Sequence, residues 1–343
     1  MGDKGFARLK NLVTLKRRPK PHVGGTPSDV IHRENKLRLL RYRPRPEGLA
    51  FATPILLVPS LINRHYILDL MPGKSFVEFL VAAGHDVWII DWGTPQAEDR
   101  FVDFDELCGV YLPRCVRIVA RSSARRQTHL LGYCMGGIFT VIQAALDATH
   151  VASVCNLAAP MQFHGDGLLG AWTRSPDFDV GAITAAFGLM PWQLLEGSFQ
   201  MLRPTLKLAK AVNLIDRAWN DRFLAGYLAL ETWSSDNVSL PGHFFKRYLD
   251  ELYRQNALMA GTLAITGNPV HLGRIACPLL AVVFEQDAIA PWQDCACIEG
   301  VVASTDKAVW KLPGSHVGGV VSRPASQGLW PALSGWWAAR DAR

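Results

Sequence analysis

A cysteine framed by glycines, Gly132-Tyr133-Cys134-Met135-Gly136-Gly137, is the segment of this chain best equipped for covalent chemistry. It follows a short strand-type run, His129 to Leu131, and precedes a helical run, Ile138 to Ala148. Strand, sharp turn and helix together form the setting that holds a nucleophile at the tip of a tight elbow. Gly132 and Gly136, two positions either side of Cys134, let strand and helix approach without a Cβ between them. The backbone N–H of Met135, at the helix start, then points where negative charge would develop on a carbonyl oxygen. A thiolate at that place attacks acyl groups once a base has taken its proton. With 29 glycines and seven cysteines in 343 residues, such flanking arises by chance in about 5% of chains. A buried cysteine beside a glycine turn is the plain alternative, so the partners must decide.

An elbow of this kind expects nucleophile, then acid after a late strand, then histidine near the C-terminus. Asp287 follows the apolar run Leu279 to Phe284, in F-E-Q-D-A-I-A-P-W, and His316 follows the run ending at Leu312, in P-G-S-H-V-G-G. The order Cys134, Asp287, His316 fits without adjustment. Asp287 could serve only as a helix cap before Pro291, and His316 could be a core histidine; Asp294 and Asp306 are the fallback acids. A second oxyanion donor belongs on the loop after an early strand, where Pro59-Ser60-Leu61-Ile62-Asn63 lies, and the Ile62 N–H is the candidate. Asn63 is either a turn residue or a substrate contact. Trp92, at the end of the run Asp86 to Asp91, is either a core or cap-packing residue or a substrate contact, and Trp292, after Pro291, is a further candidate substrate or cap contact.

These residues need a scaffold that brings distant segments to one edge. Leu37 to Tyr42, Pro54 to Val58, Asp86 to Asp91, His129 to Leu131 and Val151 to Leu157 read as strands. Stretches of helical length separate several of them, such as Ser75 to Ala83 and Phe104 to Ala120. The alternation predicts an α/β protein with a mainly parallel twisted sheet covered on both faces. From about Gly165 to Gly261 the alternation stops and Leu, Phe, Trp and Met recur at helical spacing. Such a stretch is far too long for a loop and predicts a helical cap inserted between late strands. The expected organisation is a basic arm over residues 1–36, a core over 37–164 and 262–343, and the cap over 165–261. Trp172, Phe187, Trp192, Phe199, Trp219 and Trp233 would give the cap an apolar interior.

Composition narrows the class further. With 49% hydrophobic and 19% charged residues, the chain can bury a large core. Its 36 Lys and Arg against 30 Asp and Glu give +6, yet residues 1–46 hold 13 of the former and 3 of the latter. The basic excess therefore sits in the arm, which argues against a nucleic-acid-binding face on the body. The seven cysteines show neither a disulfide framework nor zinc spacing, and a reduced, cytoplasmic protein without metal or cofactor is expected. The basic N-terminus is not followed by an apolar stretch, so neither a signal peptide nor a transmembrane segment is expected.

At these residues the chain resembles the polyhydroxyalkanoate synthases. The likeness runs from about Ile55 to Gly319, through P-S-L-I-N-R-H-Y-I-L-D-L-M-P (Pro59 to Pro72), G-H-D-V-W-I-I-D-W-G (Gly84 to Gly93) and L-G-Y-C-M-G-G (Leu131 to Gly137). It continues in N-L-A-A-P (Asn156 to Pro160), L-P-G (Leu240 to Gly242) and D-A-I-A-P-W (Asp287 to Trp292). The resemblance implies an α/β-hydrolase fold in which Cys134 carries the acyl chain and His316 deprotonates it. It implies that Asp287 either supports His316 or helps activate the incoming hydroxyl. The substrate would be an (R)-3-hydroxyacyl-CoA, with CoA leaving and a polyester growing at a granule surface. The short length is similar to the subclass that works with a second, non-catalytic subunit, and a homodimer is expected. The family usually has a histidine directly after the acid, whereas this chain has Ala288. Rival readings are a cysteine hydrolase of the dienelactone-hydrolase type, a polyester thioesterase or depolymerase, and a non-catalytic granule-binding protein.

Overall fold

A computed structural model of the chain describes residues 2–175, 177–202 and 206–341. Eight strands form one sheet: β1 (Ser28–Glu34), β2 (Leu37–Tyr42), β3 (Ile55–Val58), β4 (Val87–Asp91), β5 (Thr128–Tyr133), β6 (Val151–Leu157), β7 (Leu279–Phe284) and β8 (Lys307–Leu312). Their spatial order is β1-β2-β4-β3-β5-β6-β7-β8. The β1–β2 and β2–β4 pairs are antiparallel and the other five pairs are parallel. Every residue of β3, β4, β5 and β7 is buried. That is why these segments read as unbroken apolar runs: parallel strands are covered on both faces.

One strand lies where no apolar run marks it. β1, S-D-V-I-H-R-E, is mostly exposed and is held by its pairing with β2 and by ion pairs of Asp29 with Arg43 and of Glu34 with Arg114. The basic arm expected over residues 1–36 therefore ends earlier, since residues 28–34 belong to the sheet. Its first part is helical. Helix α1 (Gly2–Thr14) lies against the cap, where Asn11 Nδ2 donates to the Ala218 carbonyl at 2.7 Å and Arg18 pairs with Asp221 at 2.7 Å.

The helices cover the two faces of the sheet. On one face pack α2 (Phe76–Ala83) and the C-terminal helix, with Trp330, Leu333 and Trp337 against Phe76 and Leu80. On the other pack α3 (Leu112–Arg121) and α4 (Met135–Leu146). Between β6 and β7 the chain adds mainly short helices, including α5 (Leu206–Arg217) and α6 (Asp221–Ser235). A two-residue ladder, Leu189–Met190 with Leu240–Pro241, joins two of these segments where no strand was expected. The C-terminal helix, α7 (Trp330–Asp341), closes the fold, its Asp341 carboxylate accepting the Ala52 and Thr53 N–H groups at 2.8 and 2.7 Å.

Candidate active site

β5 ends at Tyr133 and α4 starts at Met135, leaving Cys134 alone at the turn with φ +55° and ψ −129°. This region suits glycine, so a cysteine held there is strained backbone. The close approach of strand and helix enforces it. A Cβ on Gly136 would stand 1.9 Å from the Val58 carbonyl oxygen, and one on Gly132 would stand 2.3 Å from the Gly137 Cα. Met135 is the first residue of α4, so its N–H has no partner within the helix. Cys134 is half-buried at the floor of a cavity.

His316 and Asp287 meet beside it. His316 Nδ1 lies 2.7 Å from Asp287 Oδ2, and the other carboxylate oxygen accepts the N–H groups of Ile289 and Ala290 at 2.9 Å each. Asp287 thus closes its own turn and holds the histidine; the cap of the following helix is Pro291, not Asp287. A carboxylate only accepts, so the proton on this contact sits on Nδ1 and leaves Nε2 for the sulfur. Tyr133 holds the histidine from behind: its hydroxyl donates to the His316 carbonyl at 3.1 Å and its ring stacks on the imidazole at 5.4 Å. Burial acts to lower the His316 pKa. The charge of the Cys134 sulfur and hydrogen bonds with Asp287 and Cys134 outweigh it and raise the pKa to about 10. Of the fallback acids, Asp294 lines a neighbouring pocket and Asp306 pairs with Arg340.

The cavity above Cys134 encloses about 850 Å³, part of it open to solvent. Cap residues Trp172, Phe178, Leu195, Phe199, Phe245 and Leu249 give it an apolar wall. Two buried tyrosines, Tyr248 and Tyr253, are its main polar groups besides the sulfur; they hydrogen-bond each other and burial pushes both hydroxyls well above their ordinary pKa. Neither was singled out in the sequence. They stand five residues apart, which an α-helix would place on different faces, but residues Tyr248–Arg254 form a π-helix. A wider turn of that kind brings i and i+5 together and recurs at functional sites.

Other candidates take different places. Ile62 lines the cavity, while its N–H donates to Ser60 Oγ at 3.2 Å. Asn63, Trp92 and Trp292 are not among the residues lining it. Asn63 Nδ2 donates to Asn237 Oδ1 at 2.6 Å, and Trp92 Nε1 donates to the Pro59 carbonyl at 2.9 Å. The Trp292 ring lies under Lys311 Nζ, 3.9 Å from its centre. Among the six cap aromatics, Trp172 and Phe199 face the cavity, Trp233 packs on the core cluster around Ile67 and Leu68, Trp192 is half-buried away from the cavity lining, and Phe187 and Trp219 are exposed. Ala288 borders the neighbouring pocket, which shares Pro160, Leu169, Tyr253 and Ile289 with the main cavity. Among the described residues no cluster of histidine, cysteine or acidic side chains could hold a metal ion, and no helix is long and apolar enough to cross a membrane.

The sheet order, the strained elbow and the acid–histidine pair define an α/β-hydrolase fold with a cysteine at its strand–helix elbow. Solved structures agree on the fold. A monoacylglycerol lipase from Paleococcus ferrophilus superposes with a TM-score of 0.51 at 16% identity, covering 89% of this chain and 99% of its own. A carboxylesterase of Nitrososphaera gargenis superposes with 0.52 at 14% identity, covering 92% and 98%. Within that class, residues 21–80 match the family model described as the poly-beta-hydroxybutyrate polymerase (PhaC) N-terminus. Over 318 residues the chain is 32% identical to the poly(3-hydroxyalkanoate) polymerase subunit PhaC of Allochromatium vinosum, covering 92% of this chain and 89% of the relative. Its namesake in Synechocystis sp. is 31% identical, with coverage of 99% and 91%. The chain belongs to the PhaC family. The Haloferax mediterranei member is 37% identical over 93% of this chain, which spans 65% of that relative's length.

Proposed function

We propose that this protein polymerises (R)-3-hydroxyacyl units from their CoA thioesters into a polyester, through an acyl group held on Cys134. The observation that supports it best is the buried Asp287–His316 pair meeting Cys134 at the floor of an apolar, cap-covered cavity. His316 Nε2 takes the thiol proton, and the sulfur attacks the thioester carbonyl. The carbon–sulfur bond to CoA breaks, and the CoA sulfur leaves with the proton from His316. One thioester replaces another at little net energy, so the acyl group stays activated. The hydroxyl of another unit then gives its proton to His316 and attacks the acyl carbon, forming the ester and freeing Cys134.

Both Asp287 oxygens are engaged in the resting site, which favours orientation of His316 over direct activation of the hydroxyl. The Met135 N–H and the loop of Ile62 receive the oxyanion. A charged oxygen outcompetes the Ser60 hydroxyl for the Ile62 N–H, since charge-assisted bonds are the stronger. The apolar cap wall keeps water from hydrolysing the acyl group. Cys134→Ala should stay folded and lose CoA release from (R)-3-hydroxybutyryl-CoA, while Cys134→Ser keeps a small remnant. Substantial turnover by the alanine variant would remove Cys134 from the mechanism.

Granule association is part of the same reading. Phe6, Leu9 and Val13 form an exposed stripe on α1, and Leu208, Val212 and Ile215 form one on the adjoining α5. The product is an apolar polymer tethered to Cys134, and these stripes suit contact with its surface. A second, non-catalytic subunit and a homodimer belong to the proposal through the family alone.

A further inference from the structure

We infer that Asp236, at the end of the cap helix α6, is a positioning residue for the oxyanion loop, which it locks to the cap through Arg64 and Tyr66. The inference rests on the reading of Cys134 and the Ile62 loop given above. One Asp236 oxygen accepts from Arg64 Nε at 3.0 Å and the other from the Tyr66 hydroxyl at 2.8 Å. The same short cap segment grips the loop backbone. The Val238 N–H donates to the Ile62 carbonyl at 3.1 Å, and Trp233 Nε1 donates to the Arg64 carbonyl at 2.9 Å. Asn63 and Asn237 form an isolated antiparallel bridge.

The loop is therefore bonded to the cap immediately beyond the residue that faces Cys134. Its other side is fixed to the core, where Trp92 donates to the Pro59 carbonyl and Arg64 Nη1 to Thr94 Oγ1 at 2.9 Å. Placement of the Ile62 N–H thus depends on the cap being seated, and the cavity roof and the oxyanion hole form as one unit. Arg64 and Tyr66 are only partly exposed, and burial with the Asp236 bond raises the Tyr66 pKa, keeping its hydroxyl a donor. The Asp236 side chain is 42% exposed. As an ordinary surface ion pair it would add little to stability, so a large kinetic effect of its removal separates positioning from mere folding.

The test compares two reactions of Cys134 in the full-length protein. Attack on a thioester develops an oxyanion; alkylation by iodoacetamide does not. In Asp236→Ala, single-turnover acylation by (R)-3-hydroxybutyryl-CoA should fall roughly 10- to 100-fold. The alkylation rate should stay within about twofold of wild type, and KM within about threefold. Asp236→Asn, which keeps an acceptor but not the charge, should recover part of the loss. Tyr66→Phe, a gentler change, should slow acylation severalfold in the same selective way. Acylation unchanged within twofold, or acylation and alkylation falling together, would overturn the inference. A wild-type protein that is alkylated at Cys134 but never acylated would overturn the underlying reading, and this inference with it.

Discussion

Cys134 is set apart from four of the other cysteines by access and from the remaining two by its partners. Cys108, Cys115, Cys155 and Cys295 are buried, and burial raises the pKa of each. Cys277 and Cys297 are partly accessible, but burial pushes both up to about 11, so at neutral pH they are thiols. Limiting iodoacetamide at pH 7 should therefore modify Cys134 first, with peptide mapping as the readout. His316→Ala should slow that modification at least about tenfold, because the sulfur loses its proton acceptor. Equal labelling of Cys277 or Cys297 would contradict this picture. The three catalytic candidates were legible because their chain order and their strand-end positions are properties of a linear sequence. The tasks of Asn63 and Trp92 were not: only the three-dimensional contacts show that they fasten the loop rather than face the cavity.

At the scale of elements, the elbow works because β5, α4 and β3 crowd together. Gly136 is the tightest point, with room for no side chain against the Val58 carbonyl. Gly136→Ala should cost about 3 kcal/mol or more and misplace the Met135 N–H. Urea unfolding of purified variant and wild type checks this, and an alanine tolerated within about 0.5 kcal/mol would show that the elbow can relax. The parallel strands were readable as apolar runs, and the cap as a break in the alternation. β1 escaped because an edge strand exposed on both faces carries no apolar pattern. The tyrosine pair escaped because a helical period of 3.6 separates Tyr248 from Tyr253, and the π turn that unites them leaves no mark in composition.

Across the whole molecule, stability is coupled to pH through two buried histidines remote in sequence from Asp287 and His316. His85 stacks on Phe51 at 4.2 Å and shares a hydrogen bond with Ser334 Oγ at 2.8 Å; His129 contacts Ser153 Oγ at 2.8 Å. Burial lowers their pKa values to about 4 and about 3. Both are neutral in the folded chain, whereas the unfolded chain binds a proton at each near pH 6.5. The contribution of these two histidines is therefore full above about pH 6.5 and falls as pH drops toward 4, by about 3 kcal/mol or more for each. The urea midpoint should decline steeply from pH 7.5 to pH 4.5. His129→Asn, which cannot titrate, should flatten that decline by roughly half; an undiminished slope would assign it to other groups. The basic arm was legible as charge, but its helix was not, since its docking on α5 and α6 depends on polar contacts with residues some 200 positions away.

In the proposed reaction one polyester chain grows on one cysteine, Cys134. The most direct measurement is the intact mass of the protein after incubation with (R)-3-hydroxybutyryl-CoA, with Cys134→Ala as control. The expected result is a ladder of masses spaced by hydroxybutyryl units, present in wild type and absent in the variant. A single transient adduct accompanied by free hydroxybutyrate would contradict the claim and make the protein a hydrolase.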